Sequence, residues 1–134
     1  MTESQFWKFL ERMWKERGRE AMMAGTIDNS DPQIQAMGHY ITSHSLLPRD
    51  YDKIPIEVIS GMSKLLPEKG IQNKTREAIM IILAHNGSDA ALDALKLYNA
   101  RPNKGLEVFA RMALEECENW RNGTVIKVDF EGLL

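Results

Sequence analysis

The sequence predicts an all-α chain of about six helices arranged as antiparallel hairpins. Three observations carry that expectation. Turn-forming and helix-capping residues recur every ten to twenty positions, apolar residues between them fall at helical spacing, and eight Met against only ten aromatics favours helix packing over a β-sandwich. The chain has 134 residues, 43% apolar and 27% charged, the balance of one globular domain with a single core.

The ends of the helices are written in the sequence. Thr2 followed by Gln5 reads as a capping box, opening a first helix over about 3 to 23, with Gly25 suited to its left-handed exit. Asp31-Pro32 supplies an N-cap carboxylate and a first-turn proline for a second helix over about 32 to 45. Pro48 closes that segment, Pro55 opens a third helix to about 66, and Pro67 with Gly70 ends it. Asn73 or Thr75 begins a fourth helix that stops at Asn86-Gly87. Ser88 caps a fifth over 89 to about 99, and Pro102-Asn103 restart the chain for a sixth ending near Arg121.

Periodicity then assigns faces. The first helix carries Phe6, Phe9, Leu10 and Met13, widened by Trp7 and Trp14 at i and i+7. The fourth has Ile79, Ile82, Leu83 and Asn86 on one side, yet Met80 and Ile81 place apolar atoms on the others, so it requires neighbours all round. Ala91, Leu92, Leu95 and Tyr98 stripe the fifth; Leu106, Phe109, Ala110, Ala113, Cys117 and Trp120 stripe the sixth.

Helices three to six fall into two pairs, 55–86 and 88–120, offset by about 31 residues. The stretches "NKTREAIMIILAHNG", "SDAALDALKLY" and "PNKGLEVFARMALEEC" resemble the second helix of one HEAT repeat and the two helices of the next. The resemblance covers about half of the chain. It implies an armadillo-like (HEAT-like) right-handed superhelix, with 1–47 as an N-terminal capping hairpin, 55–86 and 88–120 as repeat-like hairpins, and 122–134 as a C-terminal tail. The pattern departs from the family at the last pair, where Leu106 or Glu107 stands in place of an early Arg. The family's usual work, scaffolding other proteins along the face of the second helices, is what the resemblance implies; catalysis is uncommon there.

Composition narrows the function classes. A net charge of −2 argues against a generic nucleic-acid or anionic-membrane binder. No apolar run approaches the roughly 18 residues of a membrane span, and the polar, acidic start does not read as a signal peptide. Cys117 has no cysteine to pair with, and a cytoplasmic address is expected.

Candidate chemistry is sparse. His39 and His44 lie five apart, about 140 degrees around a helix, so they are not placed to chelate one ion; His85 would have to arrive from another hairpin. "IDNSDPQ" alternates oxygen ligands at Asp28 and Ser30 like a calcium loop, but Gln33 stands where its glycine belongs and His39 where its bidentate Glu belongs. No phosphate cradle or nucleophile elbow appears. The expectation is therefore a non-catalytic module without metal or cofactor.

Two surfaces remain as binding candidates. Met80, Ile81, Val108 and Met112 form an adaptable apolar group for another protein or a second copy of the chain. Lys8, Arg12, Lys15 and Arg19 form a basic stripe that offers nucleic-acid binding as the alternative, although Glu11, Glu16 and Glu20 flank it and can neutralise it along the helix. The tail alternates Ile126, Val128 and Phe130 with Lys127 and Asp129, a strand-like pattern suited to covering Val108 and Met112 or to docking on a second copy.

Overall fold

The computed structural model describes residues 1–19 and 31–123. Within them the chain is helical, with α1 (Glu3–Arg17), α2 (Pro32–Thr42), short 3-10 turns at Ser43–Leu46 and Tyr51–Lys53, α3 (Ile56–Leu65), α4 (Asn73–Asn86), α5 (Asp89–Ala100) and α6 (Glu107–Arg121). No strand forms among the described residues; Arg19 and Pro48 make one isolated antiparallel bridge. The tail alternation at Ile126, Val128 and Phe130, the exit at Gly25 and the Asp28/Ser30 motif lie outside the described residues.

The caps act where the residue types placed them. The Thr2 hydroxyl accepts from the Gln5 N–H at 3.1 Å while the Gln5 amide oxygen accepts from the Thr2 N–H at 2.9 Å, closing both arms of the capping box. The Asp31 carboxylate accepts from Gln33 N–H at 2.9 Å, and the Ser88 hydroxyl from Ala91 N–H at 3.2 Å.

Three boundaries differ from expectation. α1 stops at Arg17 instead of running to 23, because Gly18 takes φ 87°, a left-handed exit that glycine adopts without Cβ strain. α2 gives way at Thr42 to a tighter 3-10 turn, where the Thr42 and Ser43 hydroxyls both donate back to the His39 carbonyl. α6 begins at Glu107, four residues late, since Gly105 at φ 90° forms a turn closed by Leu106 N–H to Asn103 O.

α3 packs against α5 and α4 against α6, with α5 also touching α4 and α6. α2 lies on α6, and both 3-10 turns lie on α4. The consequence is that α4 is enclosed: every residue from Thr75 to His85 is buried, and the side chains from Ala78 to Ala84 are wholly inaccessible. A helix that is apolar on all sides has this one comfortable position. α1 is pinned beside its start by Trp7 Nε1–H to Thr75 Oγ1 at 2.9 Å. Glu3 completes the contact by accepting from the Thr75 hydroxyl and from Gln72 N–H.

Candidate metal centre

Enclosing α4 brings together groups that are remote in sequence. His44 sits on the 3-10 turn after α2, His85 in the last turn of α4, and Glu116 in the middle of α6. One nitrogen from each imidazole and one carboxylate oxygen lie within 4.8 Å of one another. His44 Nε2 is 3.0 Å from Glu116 Oε1, and His85 Nε2 is 3.4 Å from the same oxygen. The rings of His44 and His85 meet edge to face at 4.9 Å.

The backbone fixes which nitrogen of each ring carries a proton. His44 Nδ1 faces the carbonyls of Tyr40 and Ile41 at 3.0 and 3.1 Å, and His85 Nδ1 faces the carbonyl of Ile81 at 2.8 Å. A carbonyl can only accept, so both Nδ1 atoms are N–H donors. In the neutral tautomer each Nε2 then presents a lone pair toward the Glu116 carboxylate. A protonated ring pairs with the carboxylate directly, and a neutral ring offers its lone pair to a cation held beside it.

The Tyr40 hydroxyl also donates to Glu116 Oε1, and His44 Nε2 lies 3.3 Å from Oε2 as well, so the carboxylate faces three partners with its two oxygens. With metal–donor distances of about 2.0–2.1 Å, neighbouring donors of a tetrahedron stand about 3.3 Å apart, and the two measured separations bracket that edge.

The surroundings favour the charged forms of Glu116 and His44, so an ion at this place would have to displace the His44 proton. Burial opposes ionisation of Glu116, yet hydrogen bonds and charge from His44 and His85 outweigh it and hold the carboxyl well below the usual carboxylate range. Burial likewise opposes a charge on His44, but the Glu116 carboxylate and the two carbonyls raise its pKa from the ordinary 6.5. Burial and the Glu116 charge together push the Tyr40 phenol well above its usual value, keeping it a hydrogen-bond donor. Tyr40 is itself held by its edge-to-face contact with Phe109 at 4.9 Å. Tyr51 and Trp120 pack their rings on His85 at 5.6 and 5.9 Å.

The residues nominated from the sequence separate differently. His39 does diverge from His44, turning to Glu77 on α4. The arrival of His85 from another hairpin, on which a metal site depended, is what the fold supplies. Met80 and Ile81 are inaccessible to solvent, so they do not form a surface patch: the helix carrying them is covered on every side. Val108 and Met112 are half-buried, with Met112 packed against the core. Lys8, Arg12 and Lys15 are exposed on α1, but Arg19 lies beyond the helix end and stacks its guanidinium 3.7 Å over the Trp14 ring, so the four do not make one stripe.

No spacing in the sequence marks the three groups: α4 and α6 are offset by 34 residues at their starts, whereas His85 and Glu116 are 31 apart and stand at different heights on the two helices. No helix among the described residues is long and apolar enough to cross a membrane. Compared with protein families, curated proteins and solved structures, the chain matches none.

Proposed function

We propose that this chain is a metal-binding helical domain that holds one divalent transition-metal ion between His44 Nε2, His85 Nε2 and the Glu116 carboxylate. The observation that carries the reading is the pair of Nδ1–H groups committed to backbone carbonyls while both Nε2 atoms converge on one carboxylate oxygen. Histidine ligands are ordinarily oriented in this way, through the ring nitrogen that does not bind the metal. Two imidazoles and a carboxylate suit zinc-type ions; calcium and magnesium prefer all-oxygen sets. The ion ties the 3-10 turn after α2 to both α4 and α6. Isothermal titration of chelator-treated protein with zinc supports the reading if one ion binds per chain and Glu116→Gln weakens it by at least about 100-fold, more than loss of an outer hydrogen-bond partner would. Equal affinity in the variant would refute it.

A second reading, protein binding by a HEAT-like right-handed superhelix, is supported by the packing of like on like, α3 on α5 and α4 on α6. The face of the second helices is occupied at α4 by the chain's own 3-10 turns, which leaves Val108 and Met112 as its contacts. Met112→Asp should then abolish capture of a partner with helicity intact; undiminished capture removes that reading. Nucleic-acid binding has the exposed Lys8, Arg12 and Lys15 as its basis, and is tested by duplex binding that weakens steeply with salt.

A further inference from the structure

Three protein donors leave a tetrahedral ion incomplete, and the surroundings of the cluster indicate what completes it. We infer that the ion held by His44, His85 and Glu116 keeps one coordination position open on the solvent side, and that this position takes a small monoanion such as a carboxylate. The inference rests on the metal-binding reading above and adds to it the chemistry of the fourth ligand.

Donor count comes first. Among the described residues the converging His, Cys, Asp and Glu groups number three. Each nearby side chain that could serve as a fourth is committed elsewhere. Glu116 Oε2, 3.3 Å from His44 Nε2, belongs to the carboxylate already counted; the Tyr40 hydroxyl donates to Oε1, and its ring is wedged edge-on against His44 at 5.0 Å as well as against Phe109. Tyr40 thus acts as a positioning residue that holds the carboxylate, the usual role of a partner behind a ligating carboxylate. Cys117 follows Glu116 by about 100 degrees around α6 and is wholly buried in the core. His39 engages Glu77. Sites that are closed by four protein ligands are structural, whereas a three-ligand set leaves room for an exchangeable one.

Direction and charge come next. The His85 side chain is 9% exposed, while those of His44 and Glu116 are 22% and 32% exposed, so the cluster has a floor and an open rim. The missing vertex of the tetrahedron therefore lies toward solvent. A divalent ion, one carboxylate and two neutral imidazoles sum to a single positive charge in a half-buried setting. One monoanion neutralises it, and a dianion would overshoot. The indole of Trp120, 38% exposed and packed on His85, offers an apolar flank beside the rim for the carbon end of a carboxylate.

The test uses the full chain loaded with cobalt(II), whose visible absorption reports coordination number and ligand exchange. Sodium acetate and sodium azide are titrated at constant ionic strength into the wild type and into Tyr40→Phe. The expected result is an intense four- or five-coordinate spectrum that shifts saturably with either anion in both proteins. A cobalt spectrum indifferent to both anions means that a fourth protein donor closes the site, and overturns this inference while the metal site stands. An anion response confined to Tyr40→Phe means that the phenol oxygen fills the position, and overturns it too. Absence of cobalt and zinc binding in the wild type removes the metal-binding reading itself.

Discussion

Zinc should stabilise this fold by an amount that can be worked out beforehand. Because the three donors sit on elements brought together only by folding, the ion binds the native chain and has no preformed site in the unfolded one. The added stability is then RT ln(1 + [L]/Kd), about 2.7 kcal/mol when free zinc is 100 times Kd. For 134 residues the entropy of unfolding is about 0.28 kcal/mol per degree, so the midpoint should rise by about 10 °C. Glu116→Gln keeps the side-chain volume and an amide oxygen for the Tyr40 hydroxyl. If it weakens zinc 100-fold, the increment at the same zinc concentration falls to about 0.4 kcal/mol, about 1.5 °C. Differential scanning calorimetry of both proteins, with zinc and with chelator, reads the four midpoints. Equal zinc increments in wild type and variant would refute the argument, because the ion would be bound elsewhere.

Four other outcomes follow from the same packing. In chelator-treated protein, the His44–Glu116 contact should stabilise most between about pH 4.5 and 6.5. Glu116, with its pKa lowered, loses its contribution as pH falls below the ordinary carboxylate value, and His44, with its pKa raised, loses its own as pH rises through the folded value. Urea unfolding should show stability declining as pH rises above 6.5, flattened in Glu116→Gln, while the zinc increment grows as the imidazoles lose protons. His39→Asn should leave zinc affinity within about twofold by titration, since that imidazole is engaged with Glu77. Ile79→Ala should cost about 2–5 kcal/mol in urea, and Met80→Asp should leave no cooperative transition, because both positions are sealed. Arg76 donates to the carbonyls of Ile71 and Glu68 at 3.0 and 2.7 Å and to Asn73 Oδ1 at 2.8 Å. Arg76→Met should therefore cost about 2–5 kcal/mol, and Arg76→Lys, which has no planar fork, should recover less than half.

How much of this was legible in the sequence depended on the range of the interaction. Asp31, Ser88 and the Thr2/Gln5 pair marked their helix starts because each acts on a backbone group within three residues, and the structure shows each bond. The enclosure of α4 was legible because Met80 and Ile81 spoil any polar face. Gly18 was not read as a stop, since an isolated glycine inside a helical pattern is tolerated at modest cost and nothing nearby distinguishes the two outcomes. The same periodicity that demanded neighbours around α4 also contradicted an exposed patch at Met80 and Ile81, a conflict visible in the residues themselves.

The convergence of His44, His85 and Glu116 was not legible for a different reason. The three are separated by 41 and 31 residues, and the angle between His39 and His44 correctly excluded that pair without bearing on His44 and His85. Only the packing of α4 against α6 places His85 beside Glu116, and only the chain's return across α4 delivers His44 to both. That return also explains the position of the site. The 3-10 turns cover α4 where a stack of like hairpins would leave its second helices open, and Ser43–Leu46 is seated there by Leu46 and the buried Leu47 against the core. A carboxylate from α6 and an imidazole from α4 add directional contacts at that junction. Apolar burial is non-directional and holds the turn down without setting its orientation, so a bound ion would contribute there both to the orientation of the turn and to the chemistry at the rim.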